Sequence, residues 1–319
     1  MNQSTEGQTT VYLVDASIYI FQAHFSPHVE CEDMLGNDVS AFFGFTQFLL
    51  QFLRRFNPSY VGVALDQSLF SGFRHQLSAH YKSNRELPDE NLARQLEACY
   101  QLCPLLGMPA YASRVYEADD IIGTMARNLR EQKTPPQAIA ILSKDKDLAQ
   151  LLLRDVDYLW DYSGNRRRYK NEIFNDYGVY PEQIADYLGL IGDSVDCITG
   201  VPGVGPVKAQ ELLRRFTSIE GVYGNLGLVA DLKLRGASKL AALLQAHSQD
   251  AVLSKMLATI VDDVKDEGEL FCQVNQAGLK RHKPQLNLLR ELFHQQGLKP
   301  AHSDRLMAMA THLPGVELD

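Results

Sequence analysis

The sequence predicts an α/β fold: a parallel sheet flanked by helices in the first half of this 319-residue chain, then an all-helical part. Three observations predict it. Three apolar stretches, VYLVD at 11–15, YVGVALD at 60–66 and AIAIL at 138–142, read as buried parallel strands rich in Val, Ile, Tyr and Leu. Segments of helical period lie between them, and this alternation implies strand–helix–strand units. From about residue 171 the strand pattern stops and helical periods dominate.

Each element has its own signal. FFGFTQFLLQFLRRF (42–56) reads as a helix, as does ENLARQLEACYQLCPLLG (90–107), which stops at Gly107. EADDIIGTMARNLREQ (117–132) reads as another, and VDYLWDYS (156–163) is a further strand candidate. Later helical periods lie in IFNDYGVYPEQIADYLGL, AQELLRRF, ASKLAALLQAHSQ and LSKMLATI, and GVPGVG (200–205) forms a tight glycine-rich turn among them. The expected organisation is an α/β domain over 10–170, a helical domain over 171–298 and a weakly structured tail over 299–319.

A chain that is 45% hydrophobic can fill one large or two smaller cores. No apolar run reaches the roughly 18 residues that span a bilayer. The opening segment MNQSTEGQTT is polar and lacks a signal peptide's apolar centre. The expectation is a soluble, cytoplasmic protein with no membrane partner. The cysteines (Cys31, Cys99, Cys103, Cys197 and Cys272) are odd in number and form no CxxC pair, which argues against a disulfide framework and a zinc site. Cys99 and Cys103 share a helix face and read as core.

Carboxylates carry the strongest chemical signal. The first strand ends in Asp15 and the second in Asp66, and SKDKD places Asp145 and Asp147 just past the third. Ligands of open parallel sheets bind at the carboxyl ends of the strands. Glu117, Asp119 and Asp120 open a helix, where acids are also favoured by the helix dipole alone. Asp193 and Asp196 lie three apart, ahead of the glycine turn. Each acid alone could be a cap or turn residue, but their joint placement predicts a cluster. Like charges about 4 Å apart repel by roughly 4 kcal/mol at an effective dielectric near 20, so such a cluster needs cations. Oxygen-only ligands select hard ions such as Mg²⁺ or Mn²⁺, and a pair of ions suits in-line displacement at phosphorus. The net charge of −8 opposes an anionic partner taken as a sum, but without these nine acids the remainder carries +1.

Basic and glycine-rich segments point the same way. FRHQLSAHYKSNRELPDE (73–90) follows the Asp66 strand and carries Lys82 and Arg85, with Arg74 and Tyr81 as candidate DNA contacts. Cations beside a phosphodiester can neutralise charge that develops during transfer. GVPGVGPVKAQELL, with Gly200, Gly203, Gly205 and Lys208, reads as the turn of a helix-hairpin-helix over about 190–216. Its backbone can approach a phosphate without reading base sequence. The basic run RRR at 166–168 with Lys170 reads as a solvated loop.

Together, VYLVDAS, the Asp66 strand followed by FR…YKSNR, YEADDIIGT, SKDKDLAQLL and IGDSVDCITGVPGVGPVKA resemble the 5′-nuclease family. That family includes the nuclease domain of bacterial DNA polymerase I, phage 5′-exonucleases and flap endonucleases. The likeness covers roughly residues 10–300 and leaves no room for a polymerase. It implies a PIN-like catalytic domain with a helical arch over about 70–90. It makes Asp15, Asp66, Glu117, Asp119, Asp120, Asp145, Asp147, Asp193 and Asp196 the metal-site acids for two divalent cations. It makes Lys82 and Arg85 the catalytic cations and Phe21 an aromatic that stacks on a terminal base. The hairpin would grip duplex DNA, often around K⁺, and the expected substrates are 5′ flaps, 5′ overhangs and nicks cut by a monomer. Gln22 stands where the family has arginine, and Asp196-Cys197-Ile198-Thr199-Gly200 replaces its Asp-Asn-Ile-Pro-Gly. The rival readings are a PIN-class ribonuclease and an inactive duplex-DNA-binding protein.

Overall fold

A computed structural model describes residues 9–68 and 70–314. The polar opening segment before Thr9 and the last five residues of the expected tail lie outside the described residues. In chain order the elements are β1 (Thr10–Asp15), α1 (Ala16–His24), α2 (Ser40–Phe56), β2 (Val61–Asp66), α3 (Phe73–Leu77), α4 (Glu90–Leu105) and β3 (Ala110–Ser113). They continue with α5 (Ala118–Arg130), β4 (Ala138–Leu142), β5 (Tyr158–Asp161), β6 (Arg166–Arg168), α6 (Lys170–Tyr177), α7 (Ile184–Ile191) and α8 (Pro206–Phe216). The chain ends with α9 (Ile219–Gly224), α10 (Leu226–Val229), α11 (Ala237–Ala246), α12 (Ser248–Ala258), α13 (Leu286–Gln295) and α14 (Pro300–Thr311).

The sheet order is β3-β2-β1-β4-β5-β6. The first five strands run parallel and β6 pairs antiparallel with β5. Strand order reverses around β1, so β1, β2 and β4 bring their carboxyl ends to one edge at the centre of the sheet. In open α/β sheets this switch point is where ligands sit. Alternation within each strand splits the core. Val11, Leu13, Ile139 and Ile141 face one layer, and Val14, Ala140, Leu142, Val61 and Val63 face the other.

The first layer does not stop at a domain boundary. Leu13, Ile121 and Ile141 belong to the same buried cluster as Leu188, Leu213, Leu244 and Leu257 from α7, α8, α11 and α12. The helical part is thus packed onto the sheet through a continuous apolar core. Asp193 and Asp196, far along the chain, are thereby held against the strand ends.

The opposite layer corrects two expectations. Leu289, Leu292 and Phe293 of α13, expected in the helical domain, pack in the cluster of α2 and α4, with Phe293 edge-on to Phe42 at 6.1 Å. Residues 300–311, expected as tail, form α14, whose Leu306, Met307 and Ala310 are buried in that same cluster. Its apolar residues are interrupted by polar ones, so its burial became visible only against α2. The RRR run is likewise an edge strand rather than a loop, with Arg167 stacked over Trp160 at 4.6 Å. Among the described residues no helix is long and apolar enough to cross a membrane.

Because Leu306 is fully buried, Leu306→Ala is expected to cost about 2–4 kcal/mol in urea denaturation. A loss below roughly 0.5 kcal/mol, usual for a surface position, would restore the tail reading.

Candidate active site

The acids are assembled by hydrogen bonds between successive strand ends. Asp15 closes β1 and caps α1, accepting from the Ile18 N–H at 3.4 Å, and Ser143 Oγ donates to its other oxygen at 2.8 Å. Ser143 follows β4, and its Oγ accepts the Asp145 N–H at 3.0 Å. Asp145 Oδ1 in turn accepts the Asp147 N–H at 2.9 Å, which turns the SKDKD loop back on itself. Asp66 ends β2 and accepts the Ala118 N–H at 2.7 Å, so it anchors the start of α5 beside Glu117 and Asp119. Asp193 and Asp196 arrive on the loop after α7, braced by paired hydrogen bonds between Asp193 and Ile198.

These acids fall into two sets. Among the described residues, Asp15, Asp66, Asp119 and Asp145 make no ion pair with lysine or arginine. Burial, then the nearby charges of Asp66 and Asp145, push Asp15 up to about 7. Burial and then Asp145 and Asp15 hold Asp119 well above the usual carboxylate range, and burial followed by Glu117 raises Asp66. Burial with mutual repulsion, offset only in part by Lys82 at Asp66 and Asp119, marks carboxylates that lack a direct ion pair. Among the described residues no three acidic, histidine or cysteine side chains already form an ion cage. The donor set fits hard divalent cations in its all-oxygen chemistry and its uncompensated charge.

The second set is neutralised by the chain's own cations. Lys82 Nζ lies 2.9 Å from Glu117 and 3.8 Å from Asp196, and Arg85 lies 2.7 Å from Asp196. Burial alone would raise Glu117, but Lys82 and Arg74 outweigh it and hold the carboxyl below its ordinary value. Lys146 ion-pairs with Asp193 and stands 3.3 Å from Asp147. Burial, then Asp145, nonetheless pushes Asp147 up to about 7.

Three predicted site residues are corrected by their surroundings. Asp120 is fully buried and shares Arg74 with Glu117, taking two hydrogen bonds from Arg74 at 2.7 and 2.8 Å and two more from the Glu117 and Val261 N–H groups. Its acceptor capacity is spent, leaving none for an ion. Arg74, expected to touch DNA, is buried and also donates to the Leu257 and Thr259 carbonyls at the end of α12. It ties the segment after β2, α5 and the helical part together. Tyr81, also expected at DNA, is buried with its hydroxyl donating to Glu117 at 3.0 Å.

The expected arch is also different. Only Phe73–Leu77 is helical; the following residues form successive turns. The segment lies down on the hairpin start, with the Lys82 N–H donating to the Asp196 carbonyl at 3.0 Å and Asn84 to the Val195 carbonyl at 3.2 Å.

The remaining DNA candidates are placed as a surface. Phe21 is half-buried and stacks with exposed Phe25, ring centroids 6.3 Å apart. The hairpin joins α7 to α8 as expected. Gly200 is packed so closely that a Cβ would come within 2.2 Å of the Gly192 nitrogen. Exposed Gly203 has φ +81°, and a Cβ on exposed Gly205 would meet nothing within 4 Å, so the backbone there stays open to an approaching group. Lys208 Nζ donates to the Gly203 carbonyl at 2.7 Å. Sequence reasoning missed Ser143, which links Asp15 to Asp145, and Lys146; the alternating charges of SKDKD were the available signal for the lysine.

With this geometry in place, the comparisons are decisive about kinship. Residues 10–178 match the 5′-3′ exonuclease N-terminal resolvase-like domain, and residues 179–286 match the 5′-3′ exonuclease C-terminal SAM fold. The chain belongs to the 5′-3′ exonuclease family. It is similar to a 5′-3′ exonuclease of Buchnera aphidicola subsp. Schizaphis graminum, 32% identical over 80% of this chain and 87% of that protein. DNA polymerase I of Pseudomonas aeruginosa is 35% identical over 82% of this chain, which spans only 28% of the polymerase's length. The fold is that of a bacteriophage T5 flap endonuclease variant in a pseudo-enzyme-product complex with DNA and metal ions, at TM-score 0.61 and 16% identity over 94% of this chain and 99% of that one. It is also that of the catalytic core of Rad2 in complex with DNA substrate, at TM-score 0.59 and 17% identity over 98% and 93%.

Two predictions follow from the local physics. Asp15 moves from 3.8 to about 7 on folding. Its contribution to stability is therefore complete below about pH 4 and lost as pH rises toward 7. In EDTA, Asp15→Asn should match the parent near pH 4 and exceed it by roughly 4 kcal/mol at pH 8 in urea denaturation. A parent that gains on the variant as pH rises would contradict this. Second, Cys197 has φ +56°, a left-handed conformation that asparagine tolerates better. Cys197→Asn should stabilise the fold by about 0.5–1 kcal/mol in the same assay, and a loss would show that the thiol packs too well to replace.

Proposed function

We propose that this chain hydrolyses DNA phosphodiester bonds at or near 5′ ends, as a structure-specific 5′-3′ exonuclease and flap endonuclease using two divalent cations, Mg²⁺ or Mn²⁺. The observation that carries this reading is the uncompensated set Asp15, Asp66, Asp119 and Asp145 at the central strand ends, faced by Lys82 and Arg85. Family membership supports it, as do neighbours solved with DNA and metal ions.

In this reading Asp15, Asp66, Asp119, Asp145 and Asp147 hold the cations with Asp193, and Glu117 and Asp196 contribute as Lys82 and Arg85 leave them. Bound there, the cations would supply an activated water and charge neutralisation at phosphorus. The chain's own residues do the rest. Lys82, now on Glu117, and Arg85, now on Asp196, exchange these carboxylates for phosphate oxygens and stabilise the charge that develops in line. Phe21 offers a stacking face to a terminal base. Gly203, Gly205 and Lys208 present open backbone and a cation to the duplex backbone, a contact blind to sequence. A potassium ion at the hairpin carbonyls belongs to the same proposal. The substrates are 5′ flaps, 5′ overhangs and nicks, handled by a monomer in the cytoplasm. Duplex grip by the hairpin favours DNA over the single-stranded RNA of a ribonuclease reading.

The decisive assay is cleavage mapping on a 5′-labelled flap. The double variant Asp145→Asn/Asp147→Asn should bind the flap and leave it uncut. If the parent also leaves it uncut in Mg²⁺ and Mn²⁺, the chain is a binding protein and the nuclease reading fails. Mn²⁺ should raise the parent's melting temperature over EDTA, by the equivalent of about 2.7 kcal/mol at 100 times the dissociation constant.

A further inference from the structure

Lys146 sits between Asp145 and Asp147 on the loop after β4, but its ammonium is turned toward the helical part. It ion-pairs with Asp193 on the hairpin start and stands 3.3 Å from Asp147 Oδ1. That oxygen is cut off from solvent and has no hydrogen-bond partner, and Asp147 as a whole is only 7% exposed. A buried carboxylate oxygen without a hydrogen bond is costly, and one monovalent charge shared between two acids offsets only part of that cost. Asp145, Asp196 and Asp193 add further negative potential at Asp147. The gap between Asp147 and Asp193 is therefore held by a cation carrying too little charge for its surroundings.

We infer that Lys146 is a built-in countercation occupying the place of the second divalent ion, between Asp147 and Asp193, and that it sets that ion's affinity. The inference rests on the two-cation reading above. It makes Lys146 a positioning residue acting through Asp147 and Asp193. An ion entering among Asp15, Asp66, Asp119 and Asp145 displaces no lysine from those acids. An ion entering between Asp147 and Asp193 must first break the Lys146–Asp193 pair. The two ions then bind with unequal strength, and the weaker is the one that Lys146 opposes. A lysine suits this role because its ammonium is a compact charge on a flexible stem, free to swing aside. A phosphodiester arriving at the site offers the displaced ammonium a new anionic partner, so substrate and second ion should load together. Lys82 and Arg85 do not share this role, since their partners are Glu117 and Asp196.

The test is calorimetric titration of the full chain with Mn²⁺ alone, without DNA. The parent should show a tighter and a weaker binding event. Lys146→Met should tighten the weaker event by roughly ten-fold or more and leave the tighter one in place. Lys146→Arg, which keeps the charge, should resemble the parent, and adding Asp193→Asn to Lys146→Met should abolish the gain. If Lys146→Met does not fold, Lys146→Gln supplies the same comparison, because it removes the charge and keeps a donor for Asp193. A weaker event unchanged in the neutral variant, or both events tightened equally, overturns the role of Lys146 and leaves the two-cation reading standing. A parent that binds no Mn²⁺ at all overturns both.

Discussion

Repulsion among carboxylates at the central strand ends is the constraint on which the site depends. Bringing Asp15, Asp66, Asp119 and Asp145 together is unfavourable, and among the described residues the fold gives none of the four a direct ion pair; the charge of Lys82 offsets only part of the rise at Asp66 and Asp119. It relieves the adjoining acids instead, through Lys82, Arg85 and Lys146. The result is a graded site, with one end free of direct ion pairs and the other paired with the chain's own cations.

The cost of holding this arrangement is spread through the scaffold. Arg74 pairs with Asp120 and Glu117 and caps the end of α12, so one buried guanidinium fixes the α5 start against the helical part. Losing one partner of such a pair leaves an uncompensated buried charge, which makes the junction stiff. The continuous apolar core from Leu13 through Leu257 serves the same end. Asp193 and Asp196 can approach the strand ends only because the helical part cannot drift away from the sheet. The segment carrying Lys82 and Arg85, by contrast, rests on the hairpin start through a few backbone contacts and ion pairs. It carries the cations that substrate would recruit, and buried Tyr81 anchors it to the apolar core.

Period and position in the chain determined much of this. Continuous apolar runs announced β1, β2 and β4, and the carboxylates at or just past their ends had to meet at one edge, because parallel strands present the same end together. The glycines of the hairpin were legible too, since Gly200 and Gly203 require backbone that other residues resist. What the tertiary structure alone decided is which charge neutralises which. Glu117, Asp119 and Asp120 lie within four residues, yet Asp120 faces Arg74, Glu117 faces Lys82, and Asp119 faces the other acids. Spacing along a helix sets the direction of a side chain but not the partner that waits there. Lys146 and Asp193, Arg74 and Thr259, Leu306 and α2 are pairs separated by long stretches of chain. Their meeting depends on packing summed over the whole core, and no local pattern encodes it.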